Sequence, residues 1–267
     1  MNKVGNYKIK PFSKYRKNVE LIASEGWRKH SLHYLIEADV TDSLEIIKNY
    51  KKKGEDISFT AWIIKSLAEA LVEYKELNSY RLGRNKIVIF DDVDVAIPVE
   101  KRINEEFIPM AYIIRRANEK NLREITEEIR NAQKKDGEEQ VLIKLSFIER
   151  IVIKSPYFIK KFVLFLLRRR GILKKKHMGT VGVTSIGMFS KFSGWLIPLG
   201  GTTSLLVAIS GISKKPGVRN NKIELREILH LTLTFDHDLA DGATISRFIS
   251  KFVELIENSY GLEYFRK

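Results

Sequence analysis

The stretch Leu231-Thr232-Leu233-Thr234-Phe235-Asp236-His237-Asp238-Leu239-Ala240-Asp241-Gly242 decides how this chain is read. Its first half alternates apolar and β-branched residues, the pattern of a strand. It ends in His-x-x-x-Asp-Gly, and an amphipathic helical pattern begins at once. A strand that stops at a histidine and turns on a glycine into a helix holds an imidazole rigidly, as a general base requires. With five His, ten Asp and 16 Gly in 267 residues, this spacing arises by chance in roughly one of a hundred such chains. The plainer alternative is a structural histidine at a strand end, followed by an Asp-Gly turn.

Working outward, the helix predicted over 243–258 sets Ile245, Phe248, Ile249, Phe252, Val253 and Ile256 on one face. Upstream, strands are predicted over 31–40, 86–90, 94–99, 107–114, 180–186, 204–210 and 223–235. Helices are expected over 14–27, from Asp42 to Lys52, from Ser58 or Thr60 through Val72, and over 121–134. Asp42-x-x-Glu45 reads as a capping box. Residues 140–176 are long apolar helical runs broken by Ser155-Pro156, Arg168-Arg169-Arg170 and Lys174-Lys175-Lys176. No repeat and no Gly/Ser linker divides the chain, so one α+β domain with a mixed sheet spanning 1–267 is expected.

The composition, 44% hydrophobic and 30% charged, is that of a folded globular protein. Zero cysteines exclude disulfides, thiolate chemistry and cysteine metal sites, and fit a reducing cytoplasm. The polar, basic start has no signal-like apolar stretch behind it. Residues 192–213 run 22 positions without a charge, but Pro198, Gly200 and Gly201 make a loop and a buried strand the better reading than a membrane span. Between Arg150 and Lys222 there are fifteen Lys or Arg and no acid; the whole chain is +14, so the rest sums to about −1. The basicity is regional.

Several motifs, in order, resemble the catalytic domain of dihydrolipoamide acyltransferases of 2-oxo acid dehydrogenase complexes, within the chloramphenicol acetyltransferase-like superfamily. They are Phe12-Ser13-Lys14-Tyr15-Arg16-Lys17, Leu35 to Thr41, Phe59 to Asn78 closing in Glu76-Leu77-Asn78, Gly179-Thr180-Val181-Gly182-Val183-Thr184-Ser185-Ile186-Gly187, Ala208 to Ile212, and the stretch ending at Gly242. The resemblance implies a chloramphenicol acetyltransferase-like α+β fold, a homotrimer with its active site between subunits, and acyl transfer from a coenzyme A thioester. It assigns His237 as general base and Thr184 as the hydroxyl that stabilises the oxyanion, with Ser185 the alternative if the register slips. It also implies that Asp241 pairs with Arg16 to hold the histidine turn. His30, His33, His177 and His230 are expected to be structural or exposed.

The chain also departs from the family. Asp238 stands where the family has Arg, and a basic segment over 143–178 resembles an insertion. Neither a lipoyl domain nor a peripheral subunit-binding domain is expected, so the acceptor stays open. A non-catalytic or lipoyl-partnered oligomeric core is the second functional reading. The basic segment has three readings: attraction of polyanionic coenzyme A, docking of 157–176 on an anionic membrane surface, or a helical pair with a solvated basic rim. Nucleic acid is not an expected partner.

Overall fold

The computed structural model describes residues 5–103, 106–134, 151–152, 155–186, 192–219 and 221–262. The expected helical runs over 140–150 therefore lie outside the described residues. Helix α1 (Lys14–Gly26) leads into strand β1 (Ser31–Asp39), then α2 (Thr41–Lys52) and α3 (Phe59–Glu73). A short hairpin of β2 (Ser79–Leu82) and β3 (Lys86–Ile89) precedes β4 (Val95–Ile103), β5 (Glu106–Ile114) and α4 (Leu122–Lys134). The basic segment contributes α5 (Tyr157–Leu167) and α6 (Gly171–Met178). Strands β6 (Val181–Ser185), β7 (Leu205–Arg219) and β8 (Lys222–Asp236) follow, and α7 (Gly242–Glu257) closes the fold.

Six strands form one mixed sheet in the order β1-β8-β7-β6-β4-β5. Strand β8 lies antiparallel between β1 and β7, whereas β7, β6 and β4 run parallel. One face of this sheet, with Val183, Val207, Leu231, Leu233 and Phe235, is buried against α3, α4 and α7 in the main core. Alternation puts Thr184, Ala208, Thr232 and Leu35 in one row on the opposite face. Part of that face is covered by residues 192–204, where the Trp195 indole donates to the Ile36 carbonyl at 3.0 Å and packs edge-on against His230.

Sequence pattern and structure agree where burial enforces the period. Ser58 caps α3 by accepting from the Ala61 amide, and Leu122, Ile125 and Ile129 face inward on α4. Two expectations change. The Asp42–Glu45 capping box does not form: Asp42 lies inside the first turn of α2 and is held by Arg219 and Arg226, a stronger, charge-assisted partnership. The strand expected over 204–210 runs on to Arg219, past a bulge between Ile209 and Ile212. Pro216 does not end it, because β6 pairs with β7 only as far as Ile209, and the missing N–H faces an edge without a neighbouring strand among the described residues. None of the described helices is long and apolar enough to cross a membrane.

The arm of β7 and β8 is tied to the body through Arg226, which donates to Asp39 at 2.6 Å and Asp42 at 3.3 Å. Burial raises the Asp39 carboxyl, but bonds from Arg226 and Thr41 outweigh it and hold it below its usual range. Arg219 does the same for Asp42. Carboxyls with depressed folded-state values stabilise the fold above their unfolded values and lose that contribution as the pH falls through the folded ones. The urea midpoint is therefore expected to drop between about pH 5 and pH 3, and Arg226→Met to lower it at pH 7 and flatten that acid dependence.

Candidate active site

The backbone of β8 is hydrogen-bonded on both sides as far as its end. There Asp236 N donates to Ser204 O at 2.9 Å and His237 N to His30 O at 2.9 Å. The His237 imidazole emerges just beyond the last strand residue and is exposed. Its Nδ1 lies 2.8 Å from the Ala240 carbonyl. A carbonyl oxygen can only accept, so Nδ1 carries the proton and Nε2 presents a lone pair outward. This is the tautomer a general base needs, and the turn fixes it.

Asp241 ends that turn as the N-cap of α7, accepting from the Thr244 amide at 2.9 Å. This bond is the main reason its carboxyl sits below the usual range. Here the structure corrects the expected brace. Among the described residues no ion pair joins Asp241 to Arg16; both are exposed, and Arg16 sits in the first turn of α1, its amide donating to the Ser13 cap at 3.3 Å. The turn is held by the dipole and amides of its own helix, not by a distant arginine.

Residues 29 and 30 grip the histidine segment from the other side. Lys29 Nζ lies 3.6 Å from Asp236 and donates to the Thr203 carbonyl. The His30 carbonyl receives the His237 amide, and its ring lies 2.9 Å from Asp238. Arg81 reaches Asp238 at 3.5 Å, so the carboxylate that stands where the family has Arg is already paired. Asp238 also lines a shallow depression of about 310 Å³ with Arg81, Arg84, Asn85, Lys86 and Ile87. Sequence reasoning missed Lys29, His30, Arg81 and Lys174 (below). Each reaches the site from a segment more than fifty positions from it, and no local pattern marks it.

Thr184 lies on β6, half-buried, in register with Ala208 and Thr232. Thr232 is five residues before His237 and two strands from Thr184. At roughly 3.4 Å per residue and about 4.8 Å per strand, the two groups are on the order of 20 Å apart within one chain. A general base acts at about 3 Å. One protomer therefore does not bring them together.

A mixed sheet packed by helices on one face thus ends in an exposed histidine whose Nδ1 is held by the Ala240 carbonyl. The family model described as "2-oxoacid dehydrogenases acyltransferase (catalytic domain)" matches residues 5–144 and 167–263, and the chain belongs to that family. The unmatched residues 145–166 fall within the expected insertion. A lipoamide acyltransferase component of the branched-chain alpha-keto acid dehydrogenase complex from Bacillus subtilis is 25% identical over 84% of this chain and 46% of its own length. A dihydrolipoyllysine-residue acetyltransferase component from Rickettsia bellii is 25% identical over 94% and 53%. The chain thus spans about half the length of these relatives. Among solved structures, a probable dihydrolipoamide acetyltransferase from Listeria monocytogenes superposes with a TM-score of 0.69 at 22% identity, covering 96% of both chains. The dihydrolipoamide acetyltransferase of Azotobacter vinelandii gives 0.72 at 16%, covering 98% and 96%.

Because Asp241 and not an Asp241–Arg16 pair secures the turn, the two substitutions are expected to separate. Asp241→Ala should lower the melting temperature and weaken amide protection in the first turn of α7; Arg16→Ala should do neither. Differential scanning calorimetry with hydrogen exchange checks this, and equal effects would contradict it.

Proposed function

We propose that the chain is a coenzyme A-dependent acyltransferase acting as a homotrimer, with His237 of one subunit opposite Thr184 of the next. The observation that carries this is the fixed tautomer of His237, whose Nε2 points outward at the rigid end of β8. Nε2 takes the proton from an attacking thiol, hydroxyl or amine as that atom bonds to the thioester carbonyl carbon. The oxyanion so formed accepts a hydrogen bond from the Thr184 hydroxyl. Collapse breaks the C–S bond, and the proton on Nε2 passes to the leaving thiolate. The separation of about 20 Å within one chain supports a site completed by a neighbour. The catalytic mechanism of the Azotobacter vinelandii acetyltransferase has been investigated through a serine, a histidine and an asparagine, the last two spaced four apart as His237 and Asp241 are here. Acyl-coenzyme A is a substrate in this reading, and the acceptor is a second small molecule or a lipoyl group carried elsewhere.

Free coenzyme A release from acyl thioesters is expected to fall by about 10²–10⁴ in His237→Ala and by about 10²–10³ in Thr184→Ala. Mixed trimers of the two variants should recover activity that neither has alone, because a site built from one intact His237 and one intact Thr184 re-forms. No recovery on mixing would overturn the inter-subunit arrangement.

A second reading concerns residues 157–176, and a specific observation favours it. Helix α5 is bolted to α1: Leu164 and Leu167 bury against Leu21, Lys160 donates to Asn18 at 2.8 Å, and Arg168 holds Glu25. Its outer side presents Phe158, Phe162 and Phe165 at 70, 59 and 58% exposure, beside exposed Lys161 and Arg169. Spacing of four and three keeps the three rings on one face. A second copy would bring an equally basic face against it, which the absence of acid between 150 and 222 disfavours. An anionic membrane surface meets both the rings and the charge, and supports peripheral attachment. The protein is expected to sediment with vesicles containing a third phosphatidylserine but not with neutral ones, and Phe158→Ser/Phe162→Ser/Phe165→Ser to abolish this. Indifference to lipid charge, or self-association through this face instead, would refute it.

A further inference from the structure

Under the strand end that carries His237 lies a cluster whose charges do not balance. Lys29, Arg168 and Lys174 bring three cations, and Asp236 and Glu25 two carboxylates. Arg168 holds both oxygens of Glu25, at 2.6 and 2.8 Å. Lys29 takes Asp236 at 3.6 Å, in a pair whose side chains are only 13 and 14% exposed. Lys174 is left over. Its Nζ sits 4.3 Å from the centroid of the Tyr80 ring, and among the described residues it has no carboxylate within ion-pair distance. Tyr80 is wholly buried and donates its hydroxyl to the Gly179 carbonyl at 2.8 Å, so it offers the ammonium a π-face and nothing more.

The helix that carries Lys174 is not free to move it away. A Cβ at Gly171 would come within 2.7 to 2.9 Å of Val88, Tyr80 and the Arg81 carbonyl, so α6 is seated directly on the β2–β3 hairpin. Gly83 N donates to Arg169 O at 2.7 Å just before it. At its far end Gly179 turns at φ +71°, with Asp94 O 2.8 Å from where a Cβ would be. Burial lowers Lys174 from 10.5 to about 7, with the charge of Lys29 adding to the effect and Asp236 and Glu25 opposing it. Lys29 is lowered as well by burial, against Asp236. A desolvated ammonium without counter-charge is costly, and the cost is relieved either by loss of the proton or by a counter-charge from outside the chain.

We propose that Lys174, backed by Lys29, binds an anionic group, a carboxylate or a phosphate, on the small molecule that reaches His237. The link to His237 rests on the acyl-transfer reading, since Asp236 of this cluster is the residue before it; the anion site itself does not. The bound anion supplies the charge that Asp236 and Glu25, already paired, cannot. It requires the ammonium form, so affinity weakens as the pH rises above the lowered value, by up to about tenfold per unit.

Isothermal titration of the full chain with malonate and, separately, with inorganic phosphate tests this without any turnover. Wild type is expected to bind at least one of them, less tightly at pH 8.5 than at pH 6.5. Lys174→Met should bind at least tenfold more weakly while melting at the same temperature or higher, since an uncompensated charge is removed. Lys174→Arg, always cationic, should keep binding and lose the part of the pH dependence that lysine contributes. Preference for malonate assigns the site to a carboxylate-bearing substrate, and preference for phosphate to a phosphate-bearing one. Binding by Lys174→Met equal to wild type, a pH dependence identical in Lys174→Arg, or no binding of either anion overturns the proposal. An inactive protein that still binds in this way would count against the acyl-transfer reading alone.

Discussion

Strand β8 is the constraint on which the rest depends. From Ile228 onward it is paired to β1 on one side and β7 on the other, and Leu229, Leu231, Leu233 and Phe235 bury their side chains in the core. A strand held by two ladders and a buried face cannot slip by one residue without turning its apolar set outward. The position of His237 inherits that rigidity. The Ala240 carbonyl and the His30 carbonyl then set its ring tautomer and its backbone, so the orientation of the imidazole follows from main-chain geometry. Phe235, packed edge-on between Tyr34 and Phe248, locks the same strand to α7, whose start is the Asp241 cap.

The proposed site between subunits would draw on the face of the sheet opposite the helices. That face carries Thr184 in a row with small and apolar side chains, and Leu35 in that row is 46% exposed. Thr232 has a buried hydroxyl with no partner, a polar group at a position otherwise given to packing. Extra segments of this chain add charge around that framework without disturbing it. Helix α6 sits on the β2–β3 hairpin, and α5 sits on α1, each contacting the sheet only at its margins.

Legibility followed burial and sequence distance. The β8 alternation, the α3 stripe and the α7 face were visible because one-sided burial writes its period into the chain, and the histidine was visible because its strand, turn and helix are contiguous. The Asp42 capping box was misread because an arginine 177 positions away in sequence outcompetes a local amide. The length of β7 was misread because the alternation breaks at the bulge after Ile209, and nothing local shows that the ladder to β8 resumes at Ile212.

The sequence by itself determined the order of elements, the family resemblance, the candidate base and the regional concentration of positive charge, all properties carried by neighbouring residues or by simple sums. Only the tertiary structure decided what surrounds His237. It brought Lys29 and His30 against Asp236, His237 and Asp238, released Asp241 from Arg16, set Thr184 a distance away that one chain cannot close, and left Lys174 with no carboxylate at ion-pair distance among the described residues. These are pairings between segments remote in the chain. Their energies depend on distance and desolvation in three dimensions, and a linear pattern records neither.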